Sequence, residues 1–104
     1  MQNNSLFKSQ ALAALRNVID PELGVDIVNL GLIYDVDLIM SGICHVSMTL
    51  TIAGCPMTGY LDHAIKAELM NLTEVEQVEI TLVWEPAWSV KKMSRQTRLE
   101  LGIH

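Results

Sequence analysis

The 104-residue chain is half apolar and only 18% charged, a make-up that closes a hydrophobic core and excludes intrinsic disorder. Its length fits one domain, taken as residues 1–104. The formal net charge of −5 argues against a general affinity for nucleic-acid backbones, which needs clustered Lys and Arg.

At the start of the chain Gln2, Asn3 and Asn4 follow the first methionine and no apolar stretch develops. The expectation is a chain without a secretory leader or membrane span that works in the cytoplasm. A first helix is predicted from about Leu6 to Ile19, with Ala11, Leu12, Leu15, Val18 and Ile19 as its apolar stripe. Asn4 or Ser5 would cap it. Pro21 would end it, because the residue before a proline disfavours helical geometry.

After a polar turn, Asp20-Pro21-Glu22-Leu23-Gly24, two alternating runs follow. Tyr34, Val36 and Leu38 share one face in the first, with Asp35 and Asp37 opposed. Cys44, Val46, Met48, Leu50 and Ile52 share one face in the second, with His45, Ser47, Thr49 and Thr51 opposed. Such period-two patterns predict strands with one wet side, and Ser41-Gly42 between them predicts a hairpin. Gly54-Cys55-Pro56 then opens a helix to about Leu72, striped by Met57, Leu61, Ile65 and Leu69. A third strand carries Val78, Ile80, Leu82 and Trp84 on its apolar face. A last helix is predicted from about Ser89 to Leu101, stopped by Gly102. The order α-β-β-α-β-α predicts an α/β (α+β) fold of two layers, a three-stranded mixed sheet with the helices on one face.

The two cysteines, Cys44 and Cys55, lie near opposite ends of the predicted second strand. Nine extended residues span roughly 30 Å, whereas a disulfide needs Cα atoms within about 7 Å, so both read as free thiols. Cys44, on the apolar face, reads as a small buried hydrophobe. Pro56 suits the first helical position, where its missing N–H costs nothing, which sets Cys55 at the N-cap. Unpaired amides and the helix dipole favour an anion there. A dipole contribution of about 0.3–2 kcal/mol equals roughly 0.2–1.5 pK units, bringing a thiol from about 8.5 to between about 7 and 8.3. Thiolate is the form that binds metal or attacks sulfur. Gly54 allows close approach to the backbone. Asp20 and Glu22 read either as plain turn residues or as acidic neighbours of the thiol. In the second case they raise its pKa, take its proton or act as hard ligands.

Four of the seven basic residues, Lys91, Lys92, Arg95 and Arg98, fall within eight positions. They form either a solvated helix face or a docking surface for an acidic partner. His45, His63 and His104 lack the spacing of a zinc site. Trp84 continues the core register of the third strand and reads as structural, whereas Trp88, in a loop, reads as a contact residue.

Several segments together resemble one family. They are Asp20-Pro21-Glu22, Val28-Asn29-Leu30-Gly31-Leu32-Ile33-Tyr34, Gly54-Cys55-Pro56, Trp84-Glu85-Pro86-Ala87-Trp88, and Met93-Ser94 with Arg98 and Leu101-Gly102. In order and spacing they are similar to the SufT/PaaD-like family of iron–sulfur cluster assembly proteins, over about residues 10–103. The resemblance implies a fold like the one above and a role in maturing iron–sulfur proteins. It implies that Cys55 is the key residue, and it maps the family's acidic pair onto Asp20 and Glu22 and its threonine onto Thr51. The family's aromatic motif commonly reads Trp-x-Pro-Pro-Trp-Thr-Pro. Here Ala87 and Ser89-Val90 depart from it.

The function expected is that of a carrier rather than an enzyme. One thiolate cannot hold an iron–sulfur cluster, which usually takes four ligands. The expectation is therefore a labile cluster or iron, not tightly bound in air, with Cys55 as metal ligand. Two chains would each give Cys55, and outside thiols or carboxylates would complete the site. The partners implied are iron–sulfur assembly proteins and client apoproteins. The alternative is an adaptor that docks clients without binding a cluster, through the polar sheet face or through the basic helix of Lys91, Lys92 and Arg95, with Trp88 as a further contact. A thiol enzyme ranks last, because no histidine partner for Cys55 is evident.

Overall fold

The computed structural model describes residues 4–21, 23–39, 42–50 and 58–103. Helix α1 (Asn4–Leu15) leads into a two-residue ladder, β1 (Ile19–Asp20) with β2 (Val25–Asp26). Strands β3 (Ile33–Ile39) and β4 (Ile43–Met48) then pair antiparallel, Val36 opposite Val46 and Leu38 opposite Cys44. Helix α2 (Thr58–Leu69) crosses over to β5 (Gln77–Leu82), which lies parallel to β4. The sheet order is β3-β4-β5, the mixed three-stranded sheet that the alternation predicts. A 3₁₀ turn (Val90–Lys92) and α3 (Arg95–Glu100) finish the chain.

The core forms where the two periodicities meet. Phe7, Ala11 and Leu15 recur every four residues on α1, and Leu61, Ile65 and Leu69 do so on α2. They cover Val36, Leu38, Cys44, Val46, Met48 and Val78 of the sheet. Burying one such side chain contributes about 1.5–3 kcal/mol. The helices touch each other, α1 rests on β3 and α2 on β5. Among the described residues no helix is long and apolar enough to cross a membrane.

Several elements differ from the sequence expectation. α1 ends at Leu15 rather than Ile19, and Ser5 lies inside it rather than capping it. Its last bonds tighten to a three-residue spacing, Asn17 N–H to Ala14 and Val18 N–H to Leu15. Val18 then accepts from Ile27 N–H at 3.0 Å. The pre-proline residue Asp20 is extended, and pairing with residues 25–27 replaces another helical turn. Ile19, placed in the stripe, is therefore exposed, while Phe7, left out of it, is buried. α2 likewise stops at Leu69, three residues before Leu72, with bonds that tighten in the same way.

The predicted last helix is broken in two. Met93 and Ser94 are both extended between the 3₁₀ turn and α3. Ser94 N–H donates to the Asn29 carbonyl at 2.8 Å, and Ser94 Oγ caps α3 by accepting from Thr97 N–H at 3.2 Å. A strong N-cap with a tertiary bond on its own amide outcompetes a continuous helix. Gly102, at φ 75°, is the stop that was expected. Ile103 N–H bonds to Arg98 and Gly102 N–H to Leu99, which is the Schellman pattern.

The burial of the two tryptophans is the reverse of the expectation. Trp84, read as core, is 44% exposed, because burial fades along β5 from Val78 to Leu82. Trp88, read as a loop contact, packs against the core and donates its indole N–H to the Leu30 carbonyl at 2.8 Å.

Candidate functional site

Three described segments carry, or adjoin in sequence, the residues that the sequence singles out. The first is the turn from Val18 to Leu32. Asp20 is nearly buried, and its Oδ1 accepts from Leu23 N–H at 3.2 Å. Its own carbonyl accepts from Gly24 N–H at 2.8 Å. This side chain therefore organises the turn as an Asx-type bond does. One step on, Asp26 repeats the device. Its two oxygens accept from the backbone N–H and the side-chain amide of Asn29, at 2.9 and 2.6 Å.

The second segment clasps the first. Gly31 has φ 79°, and its Cα lies so close to the Lys92 backbone that a Cβ there would sit 2.6 Å from the Lys92 carbonyl carbon. Beside it Trp88 holds the Leu30 carbonyl. Tyr34 hydroxyl donates to the Pro86 carbonyl at 2.6 Å, and the Lys92 ammonium lies 5.0 Å from the centre of the Tyr34 ring. The segment 28–34 is thus bound to 86–94 by backbone and aromatic contacts. The clasp fixes where Lys91, Lys92 and Arg95 stand. Lys91 and Arg95 are exposed, Lys92 is half-buried. Trp88 and Lys92, expected as partner contacts, both also close on Leu30-Gly31. The Leu30-Gly31 dipeptide itself was the available signal for close backbone approach.

The third segment is the end of β4. Leu50 is buried, and beyond it the chain passes to α2. A recess of about 130 Å³ opens between the strand ends and the first turns of that helix, lined by Met48, Leu50, Leu61, Asp62, Ile80 and Leu82. Thr49 differs from the expectation drawn from its alternation. Its alternation put it on the wet face, yet it is 0% exposed, with its N–H bonded to the Leu32 carbonyl at 2.8 Å. Just past β4 the chain bonds to Leu32, and the side that is wet along the strand is covered at Thr49. Thr49 Oγ1 has no hydrogen-bond partner among the described residues. Burying an unbonded hydroxyl costs about 1–3 kcal/mol. Thr49→Val, which keeps the shape and removes the hydroxyl, is expected to raise stability by about 1 kcal/mol in urea denaturation.

Cys44 is fully buried on the apolar face, as the alternation predicts. Burial, aided by the nearby Asp37 charge, pushes its thiol up to about 11. His45 lies on the other face and pairs with Thr81 Oγ1 at 2.9 Å. Glu22, Thr51, Gly54, Cys55 and Pro56 lie outside the described residues, as do Ile52 and Met57. Among the described residues no three His, Cys, Asp or Glu side chains gather as a metal site.

Known proteins share this architecture and sequence. Residues 8–82 match the family described as iron-sulfur cluster assembly protein. The chain is 49% identical over 96 residues to the Fe-S protein maturation auxiliary factor YitW of Bacillus subtilis, covering 92% of this chain and 94% of that one. It is 46% identical over 86 residues to the Fe-S protein maturation auxiliary factor SufT of Staphylococcus aureus, covering 83% and 98%. A crystal structure of a domain of unknown function, DUF59, from Bacillus anthracis superposes with a TM-score of 0.89 at 45% identity, covering 97% of this chain and 96% of that one.

Proposed function

The chain belongs to the iron–sulfur cluster assembly protein family, and from that premise we propose that it is an auxiliary maturation factor, passing a cluster, or its iron or sulfur, to apoproteins through the thiolate of Cys55. The contrast between its two cysteines carries this reading. The chain has only Cys44 and Cys55. Cys44 is sealed in the core with its thiol pushed up to about 11, so thiolate chemistry near neutral pH falls to Cys55.

The cluster is cargo, held briefly and given up. Cys55 is its soft ligand, Gly54 and Pro56 shape the segment that carries the sulfur, and Thr51 leads into it. Asp20 and Glu22 are the acidic neighbours that take the thiol proton as metal binds. Assembly proteins and client apoproteins meet the exposed cations of Lys91 and Arg95, with Lys92 beside them and Trp88 bracing the loop. The factor works in the cytoplasm and acts without turnover as an enzyme.

Client activation separates the chemical role from simple docking. With a client apoprotein, Cys55→Ser is expected to keep pull-down of the partner and lose activation of the client. Reversing Lys91, Lys92 and Arg95 to Glu is expected to lose the pull-down. Full activation by Cys55→Ser would replace the carrier with an adaptor that binds no cluster.

A further inference from the structure

The two edges of the sheet are not alike. On β3 the register shifts between Ile33 and Asp35. Lys8 reaches from α1 to pair with Asp35 at 3.1 Å and Asp37 at 3.3 Å. A bulge, a lysine and a packed helix are the devices that blunt an edge against further pairing. The span Gln77–Leu82 of β5 contains no lysine, proline or register shift.

The open backbone groups on β5 can be identified by parity. Val83 N–H donates to the Met48 carbonyl at 2.7 Å, so in this parallel pair the odd residues 77, 79 and 81 turn their peptide groups toward β4. The N–H and C=O of Val78, Ile80 and Leu82 therefore point outward. Among the described residues nothing pairs with them. Along the same strand the apolar side chains emerge into solvent, Leu82 at 38% exposed with Trp84 just beyond.

We propose that this edge pairs antiparallel with β5 of a second copy of this chain, about a two-fold axis at Thr81, joining the sheets into one of six strands. The register argues for a second copy. A two-fold contact must be self-complementary, and with Thr81 on the axis it is. Ile80 faces the partner's Leu82, Val78 faces the partner's Trp84, Glu79 faces the partner's Val83, and Gln77 faces the partner's Glu85. The outward peptide groups of Ile80 and Leu82 then bond to each other across the seam. No carboxylate stands opposite a carboxylate, and a Thr–Thr pair is favourable. Moving the axis to Glu79 would set that carboxylate against its own copy. Moving it to Ile80 would set Trp84 against Glu76. The pairing does not depend on Cys55, so its failure and that of the carrier reading are separate results.

Sedimentation over a range of concentrations, with the full chain, is the first test. Wild type is expected to pass from one-chain to two-chain mass, and Leu82→Lys, at an already exposed position, to stay folded with one-chain mass. Crosslinking then tests the register in a Cys55→Ala background. In the proposed pairing Thr81 and its copy form a non-hydrogen-bonded pair with Cα atoms about 4.5 Å apart, within disulfide range. Glu79 and its copy lie four residues apart along the seam, roughly 13 Å. Mild oxidation is therefore expected to link Thr81→Cys and leave Glu79→Cys unlinked. A wild type of one-chain mass throughout, a dimer that survives Leu82→Lys, or equal linking at both positions would overturn the proposal.

Discussion

Replacing Gly31 by alanine is expected to destabilise the chain by about 2–5 kcal/mol, the largest effect expected at any of the described glycines. Two costs combine. A left-handed backbone costs an L-residue about 1–2 kcal/mol, and φ at Gly31 is 79°. Overpacking adds about 1–3 kcal/mol, because the new Cβ would meet the Lys92 backbone rather than the end of a flexible side chain. Gly24 provides the control. Its φ is 68°, but nothing lies within 4 Å of an added Cβ, so Gly24→Ala should show the conformational cost alone. For a chain of this size each kcal/mol shifts the melting temperature by about 4–8 °C. Gly31→Ala should therefore lower it by at least about 8 °C, and Gly24→Ala by roughly half that or less. Equal shifts would mean that the clasp between Leu30-Gly31 and residues 88–92 gives way without strain.

The second large effect separates the two thiols by rate. Alkylation follows the thiolate. At pH 7 a thiol pushed up to about 11 is ionised in roughly one molecule in ten thousand. An accessible thiol at its ordinary value of about 8.5 is ionised at roughly 3%. Iodoacetamide labelling followed by peptide mass spectrometry should thus modify Cys55 about 300-fold faster than Cys44, before steric shielding widens the gap. The pH profiles should differ as well. Labelling of Cys44 in the folded chain should keep climbing about tenfold per pH unit toward 11, whereas that of Cys55 should level off above about 9. Comparable rates at neutral pH would remove the distinction on which the proposed chemistry rests.

Much of the fold was legible because its strands obey a simple alternation. Val36 and Leu38, then Cys44, Val46, Met48 and Leu50, are buried as their spacing dictates. Gly102 ends α3 as a glycine at that position should. The errors arise where tertiary bonds override local periodicity. Val18 leaves α1 because Ile27 offers it a strand-like partner, and Ser94 starts a new helix because Asn29 accepts its amide. Neither partner lies within the window that a helical pattern samples. Thr49 and Trp84 show the same limit at strand ends. Alternation fixes which way a side chain points, and whether anything covers it depends on other segments. For the candidate site, the Gly54-Cys55-Pro56 spacing singles out a thiol that lies outside the described residues, and the burial of Cys44 leaves Cys55 as the proposed carrier. The clasp was not legible, because the Trp88 indole meets its carbonyl across 58 positions.

The central claim is that the sulfur of Cys55 carries the cargo. Its most direct measurement is bound iron and acid-labile sulfide after oxygen-free reconstitution of wild type, Cys44→Ala and Cys55→Ser, read alongside visible absorption. Wild type and Cys44→Ala should take up both elements with the same spectrum, and Cys55→Ser should take up neither. Equal iron and sulfide in Cys55→Ser would contradict the account.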